Sequence, residues 1–181
     1  LVERFSLERV QRNPAAFDED KLEWLNLHYI KQTDPVDLAH ELAVVCAAAG
    51  IEADVEVLEA VAPLLVERLR RLDEAPAMVR FLFDEVTPDE RAQKALEGKE
   101  DYLKAVVAAL EGVPEWTAGA IEKNLRELAA RYELKPKQAF QPIRAAVTGT
   151  LVSPPLFESL EILGQPRTLA RLRASASPSR L

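Results

Sequence analysis

Apolar residues recur along this chain every three to four positions, and Asp, Thr, Gly and Pro punctuate them at short intervals. That period belongs to amphipathic α-helices, not to strands. Asp18 can cap a first helix running to about Lys31, with Leu22, Leu25 and Tyr29 on one side and Ile30 beside them. Asp34-Pro35 is an N-cap followed by proline at the first helical position, and the helix it opens should run to about Ala49 before Gly50. Asp54 can cap a third helix through Val55, Leu58, Val61 and Leu65, which Pro63 should kink or split. A short helix is expected over 74–83. Val86-Thr87-Pro88-Asp89 is the strongest boundary, with Thr87 as cap and Pro88 as the first helical residue. Further helices are expected at 88–96, 100–111, 118–132 (capped by Thr117), 136–148, 154–163 and 166–174. The tail from Ala174 should fray. The pattern predicts an all-α protein, a helical bundle or cage of two stacked subdomains, 1–86 and 87–181. It shows no repeat of fixed period and no strand pair.

Composition narrows the chemistry. The 181 residues carry a formal charge of -7, and the charge is uneven. Residues 115–181 hold ten Lys/Arg and six Glu, or +4, and residues 1–114 are correspondingly acidic. A basic end on an acidic chain suits a surface facing nucleic acid, and it equally suits two solvated helical arrays that differ in charge. The single cysteine, Cys46, lies among apolar residues and reads as a buried thiol. Two histidines, His28 and His40, are too few for a metal cluster. No apolar run approaches membrane-spanning length, and no signal-peptide pattern opens the chain. A cytoplasmic setting is expected. The first residues, Leu1-Val2-Glu3, include no initiator methionine, as in a piece cut from something longer. There is no Gly-rich phosphate loop and no Ser/His/Asp or Cys/His set. The acidic pairs Asp18/Asp20 and Asp73/Glu74 sit at helix starts, where the dipole explains them. No bond chemistry is expected of this chain itself, and no cofactor in it.

One stretch departs from the pattern. In FQPIRAAVTGTLVSPPLFESLEILG, residues 140–164, a helix carries Pro142 inside it and Arg144 near its end. It stops at Thr148-Gly149 and restarts after Ser153-Pro154-Pro155. Phe140, Ile143 and Val147 fall at i, i+3 and i+7 and should face the core, leaving Arg144 at the edge. Ser153 can cap the next helix, whose first N–H groups are then free donors. An arginine fork, a hydroxyl and free backbone groups thus meet at one break, with Leu156 as an apolar wall.

Those residues carry a resemblance. Gln141-Pro142, Arg144-Ala145-Ala146, Thr148-Gly149, Ser153-Pro154, Leu156-Phe157 and Leu163-Gly164 resemble the C-terminal signature of bacterial glutamyl-tRNA synthetases. Phe17-Asp18, Lys21-Leu22, Trp24, Asn26 and Tyr29-Ile30 resemble the segment that follows the catalytic part of the same family. Smaller matches fall at Arg68 to Leu72, Arg80 to Phe83 and Glu115-Trp116-Thr117, in the same order. The resemblance implies an α-helical anticodon-binding region of a ligase that joins glutamate to its tRNA. ATP and magnesium would belong to a catalytic domain that precedes it in the same protein. The HIGH-like and KMSKS-like signatures of that domain are absent here. The partners implied are the anticodon loop of glutamate tRNA and the catalytic domain in cis, in a monomer.

The resemblance also assigns residues. The positions of Arg144, Ser153, Pro154 and Leu156 line the family's anticodon pocket, with serine standing where threonine is often found. Arg126, near Asn124, matches another position close to the anticodon. Arg68 matches an arginine facing the third anticodon base, cytosine in glutamate tRNA and guanine in glutamine tRNA. Single-stranded bases are read by stacking and by hydrogen bonds to their edges, which needs few charges but well-placed donors. Cytosine offers the acceptors O2 and N3 to a donor-only guanidinium, whereas guanine offers N–H donors on the same edge. From the residues alone, Arg144 can equally make a salt bridge, and Arg68, Arg70 and Arg71 can form one exposed basic face. Trp24 and Trp116 read as core residues more readily than as stacking platforms. On periodicity alone a helical protein–protein interaction module remains the alternative.

Overall fold

The computed structural model describes residues 18–177. Phe17 of the family-like segment and the tail residues Pro178 and Ser179 lie outside the described residues. The described chain is all helix and connection. Its α-helices are α1 Glu19–Gln32, α2 Pro35–Ala48, α3 Val55–Leu65, α4 Ala75–Val79, α5 Glu90–Leu96, α6 Glu100–Glu111, α7 Ala118–Arg131, α8 Pro136–Thr148, α9 Leu156–Leu163 and α10 Gln165–Ala176. Asp18, Asp34, Asp54 and Thr117 each cap a helix, the side chain accepting from a backbone N–H two or three residues on. These are the caps read from the sequence.

α2 packs on α3, α6 on α7 and α10, α5 and α10 on α8, and α7 on α9. The buried side chains join in one core, in which Leu38, Leu42, Leu58, Leu103, Ile143 and Leu160 are sealed from solvent. Each such side chain contributes about 1.5–3 kcal/mol of transfer free energy. Cys46 sits in this core, and burial pushes its thiol above the ordinary range, the opposite of what a reactive cysteine needs.

Several expectations are corrected. On α1 the side chains of Leu22, Trp24 and Tyr29 are exposed, Trp24 at 62% and stacked on His28, and Leu25 is only half-buried. Only Ile30 of that helix is buried, and the ion pairs Lys31–Glu67 (2.7 Å) and Glu23–Arg70 (3.3 Å) tie it down. The period of the helix is as read, but its apolar side stays open among the described residues. Pro63 does not split α3; its exposed ring stands two residues from the helix end, where only one intrahelical bond is forfeited. Residues 72–82 form a 3-10 turn, the short α4 and a second 3-10 turn instead of one helix. Pro76 fits only a first turn, and Val79, at φ -110° and ψ -10°, ends α4 and passes the chain into the second 3-10 turn.

The boundary at Thr87-Pro88 is shifted. Asp89, not Thr87, is the cap of α5, accepting from the Ala92 N–H at 2.7 Å. Thr87 is occupied differently: its carbonyl backs onto Gly149, and the Asp89 N–H donates to the Gly149 carbonyl at 2.8 Å. Likewise Ser153 does not cap α9. Pro155 holds that position without a side-chain bond, and the Ser153 hydroxyl is spent elsewhere.

Candidate nucleic-acid interface

α8 ends at Gly149, which takes the left-handed conformation (φ +71°) that glycine adopts without steric cost. The Thr148 hydroxyl stitches this end, lying 2.9 Å from the Arg144 carbonyl and 2.8 Å from the Thr150 carbonyl. The chain then crosses residues 150–155 to α9. Arg144 holds that crossing. Its Nη1 donates to the Ser153 hydroxyl, to the Ser153 carbonyl (3.3 Å) and to the Pro154 carbonyl (2.7 Å). Ser153 and Pro154 are buried, so these acceptors have little access to water. Nε and Nη2 of Arg144 have no partner among the described residues. Neither has the guanidinium a carboxylate there, so the salt bridge open to it on sequence is not made.

Beside this crossing runs a groove of about 560 Å³ that Thr150, Val152 and Arg68 line and that Arg144 does not reach. The Arg68 backbone is pinned just beyond α3, where the Leu65 carbonyl accepts from both Arg68 N (2.7 Å) and Leu69 N (2.9 Å). Leu65 and Leu69 are sealed in the core, so Arg68 between them is turned outward. Among the described residues its guanidinium has no partner, whereas Arg70 pairs with Glu23 and Arg71 with Asp73 (2.6 Å). The three arginines of this segment are therefore not one uniform basic face.

Burial, and after it the positive charge of Arg68, hold the Arg144 guanidinium below its ordinary pKa. A guanidinium on an open groove with no partner among the described residues favours a ligand that brings acceptors or negative charge. Glu74, also on the groove, is engaged by the Arg70 N–H at 3.1 Å. The remaining walls are Ala77 and Met78 from the first half of the chain and Thr150 and Val152 from the second. Val152 is 61% exposed. Sequence reasoning missed Met78, Thr150 and Val152. Thr150 and Val152 lie on a connection and Met78 on the five-residue α4, all too short for a period to mark a side chain, and the one available signal was an apolar Val in a turn.

The other sequence candidates lie differently. Leu156 is buried at 5% exposure in the core, because it opens the apolar face of α9, and presents no open wall. Arg126 pairs with Glu122 (2.6 Å) and lies over the Phe140 ring at 5.8 Å. Phe140 in turn meets Phe157 edge to face. Phe140 and Arg144 are one turn apart on α8, so Arg126 stands beside the groove and not in it. Asn124 bonds back to the Ala120 carbonyl of its own helix (2.8 Å). Trp116 is a core residue as read, half-buried, its Nε1 donating to the Leu160 carbonyl at 2.9 Å.

Comparison with known proteins bears on this geometry. The family described as "Anticodon binding domain" matches residues 29–176. The glutamate–tRNA ligase of Saccharopolyspora erythraea is 42% identical over 185 residues, covering 96% of this chain and 37% of that protein. That of Mycobacterium sp. strain JLS is 44% identical with the same coverage. The chain thus spans little more than a third of the curated relatives it matches. Among solved structures, a glutamate tRNA ligase from Elizabethkingia meningosepticum superposes with a TM-score of 0.80 over 97% of this chain at 22% identity, which speaks for the fold. It covers 35% of that structure. The all-helical architecture, the groove between Arg68 and the Arg144 turn, and a family match over most of the chain agree: this chain belongs to the anticodon-binding domain family.

Proposed function

We propose that this chain is the anticodon-reading part of a glutamate–tRNA ligase, and that the groove between Arg68 and the 149–155 crossing receives the anticodon of glutamate tRNA. The single observation that carries the reading is the family match over residues 29–176, which spans both Arg68, without a partner among the described residues, and the 149–155 crossing whose Thr150 and Val152 share a groove with it. Arg68 reads the third anticodon base. Its donors satisfy the O2 and N3 of cytosine, where guanine would set its N1–H and N2–H donors against them. Leaving such donors unpaired costs on the order of 1–3 kcal/mol, roughly tenfold or more in discrimination. Arg144 reads with its spare Nε and Nη2, while Ser153 and Pro154 act by holding Nη1. Leu156 and Arg126 support this surface from the core and from the flank. The residues fall into two stacked subdomains, 1–86 and 87–181, one on each side of the groove.

The relatives' names support one part of the remaining reading, the charging of glutamate tRNA. The activity is ATP-dependent charging of glutamate tRNA by a catalytic domain of the same protein, where ATP and magnesium bind. The protein acts as a cytoplasmic monomer. Among the described residues no helix is long and apolar enough to cross a membrane.

The test is Arg68→Ala in the full-length protein. Charging is measured with glutamate tRNA carrying cytosine or guanine at the third anticodon position. The preference for cytosine should fall roughly tenfold. An unchanged preference would take Arg68 out of the site. Binding should also weaken steeply with added salt, as phosphate contacts require and an apolar protein–protein groove does not.

A further inference from the structure

The groove is built from two parts of the chain that are distant in sequence. Arg68, Ala77 and Met78 come from before the linker at 83–89, Thr150 and Val152 from after it. Its width is therefore set by whatever fixes the two parts relative to each other. Two arginines of α10, neither assigned a role by sequence, sit where that is decided. Arg167 donates through Nη1 to the Leu82 carbonyl. Arg171 reaches two main-chain carbonyls at once, Val147 through Nη1 (2.7 Å) and Asp84 through Nη2 (2.9 Å). Val147 is in the last turn of α8, whose carbonyls lack intrahelical donors. It lies three residues before Thr150. Asp84 lies on the linker itself, beyond the turn Arg80–Leu82.

A planar fork suits this task, because two parallel N–H groups fix an angle as well as a distance. Two neighbouring contacts complete the seam. The Asp89 N–H donates to Gly149 O at 2.8 Å, and the Gly149 α-carbon lies close to the Thr87 carbonyl. The cleft that Arg167 and Arg171 help to line has a volume of about 720 Å³. It is a poor anion site, since the arginine donors are spent on carbonyls and Glu85, Glu97 and Glu100 share its walls. Arg171 stays charged at neutral pH: burial, and after it the charge of Arg167, bring its pKa down only to about 10, against the pull of Glu85.

We infer that Arg171 is a positioning residue for anticodon reading: by bridging the linker carbonyl of Asp84 and the α8 carbonyl of Val147 it sets the distance between Arg68 and the 149–155 crossing. The inference rests on the function proposed above, because it names the device that holds that groove. A lysine at this position keeps the charge and can satisfy one carbonyl, but it cannot bridge two at a fixed angle.

Two measurements on the full-length protein separate the possibilities. Spin labels at Ala77→Cys and Val152→Cys, both on exposed groove residues, report the distance across the groove. Arg171→Lys should broaden that distribution relative to the parent. An unchanged distribution overturns the inference whatever the RNA does. The second is the ratio of charging efficiencies (kcat/KM) for tRNA with cytosine or guanine at the third anticodon base. Arg171→Lys should lower it roughly fivefold to tenfold, the scale of ordinary coupling between sites, with a melting temperature within a few degrees of the parent. A lower melting temperature with an intact ratio makes Arg171 merely structural and overturns the inference. If the parent protein shows no preference for cytosine, the proposed function itself fails, while the distance measurement still reports on the latch. If Arg171→Lys folds poorly, Arg171→Gln, uncharged but able to donate, takes its place in both measurements with the same expected results.

Discussion

Replacing Gly149 by alanine probes the seam behind the groove. At φ +71° an alanine meets the left-handed penalty of roughly 1–2 kcal/mol. Against this stands about 0.4–1 kcal/mol gained from a less flexible unfolded chain. Gly98 offers the internal control. It has φ +67°, and a Cβ added there meets nothing within 4 Å, so Gly98→Ala measures the backbone contribution alone. At Gly149 the new Cβ would lie 3.1 Å from the Thr87 carbonyl oxygen and 3.3 Å from the Val86 Cβ. The neighbours must yield by a few tenths of an ångström. They cannot do so freely, because the Asp89 N–H is bonded to Gly149 O at 2.8 Å. Overpacking of this kind costs about 1–3 kcal/mol. At roughly 2–4 °C per kcal/mol for a chain of this size, Gly149→Ala should melt some degrees below Gly98→Ala, about 3–6 °C at a 1.5 kcal/mol difference. The assay is thermal unfolding followed by helical circular dichroism, with both variants in one buffer. Equal melting temperatures would refute the reasoning, since they would mean that the approach of Thr87 to Gly149 carries no strain.

Two further outcomes are expected. Arg144→Met should cost about 1–3 kcal/mol, read by denaturant unfolding, because the buried Ser153 carbonyl loses its donor and the Pro154 carbonyl keeps only the Ser153 hydroxyl; a loss below about 0.5 kcal/mol would mean that water replaces the fork. Asp89 has a carboxyl held below its ordinary pKa, chiefly by the Ala92 N–H, with smaller help from the Thr150 hydroxyl and Arg91, against a desolvation that raises it. A depressed folded value means the stabilisation is complete above the unfolded pKa of about 4 and is lost as pH falls through the folded value. Melting temperature should therefore fall with acidification below about pH 4 less steeply in Asp89→Asn than in the parent. Parallel curves would show that the cap is not coupled to protonation.

The helices were legible because their signals are local. Asp18, Asp34, Asp54 and Thr117 each stand one residue before an apolar period, and each caps as read. Where the sequence pointed to Thr87 and the structure caps with Asp89, a distant contact decided: Gly149 claims the backbone around Thr87, and no local rule contains Gly149. The same limit explains Trp24 and Tyr29. Periodicity tells which residues share a face, and only tertiary packing tells whether that face is covered. At the groove, Arg144 and Ser153 were legible through resemblance, but their mutual bond was not, because nine residues and a left-handed turn separate them. Arg171 carried no sequence signal at all. An arginine that grips main-chain carbonyls leaves no partner side chain to notice.

Arg68 and Arg144 differ in how freely their identity can drift. Arg144 is woven into the turn it stands on, so most substitutions there perturb folding before decoding can be assayed. Arg68 rests on a backbone fixed by Leu65 and spends none of its own donors on the described protein. Changes at that position leave the scaffold largely indifferent. Under the proposed function, a lineage or an engineer seeking to widen or narrow the set of codons served would find its variation there, with folding constraint confined to the neighbouring turn.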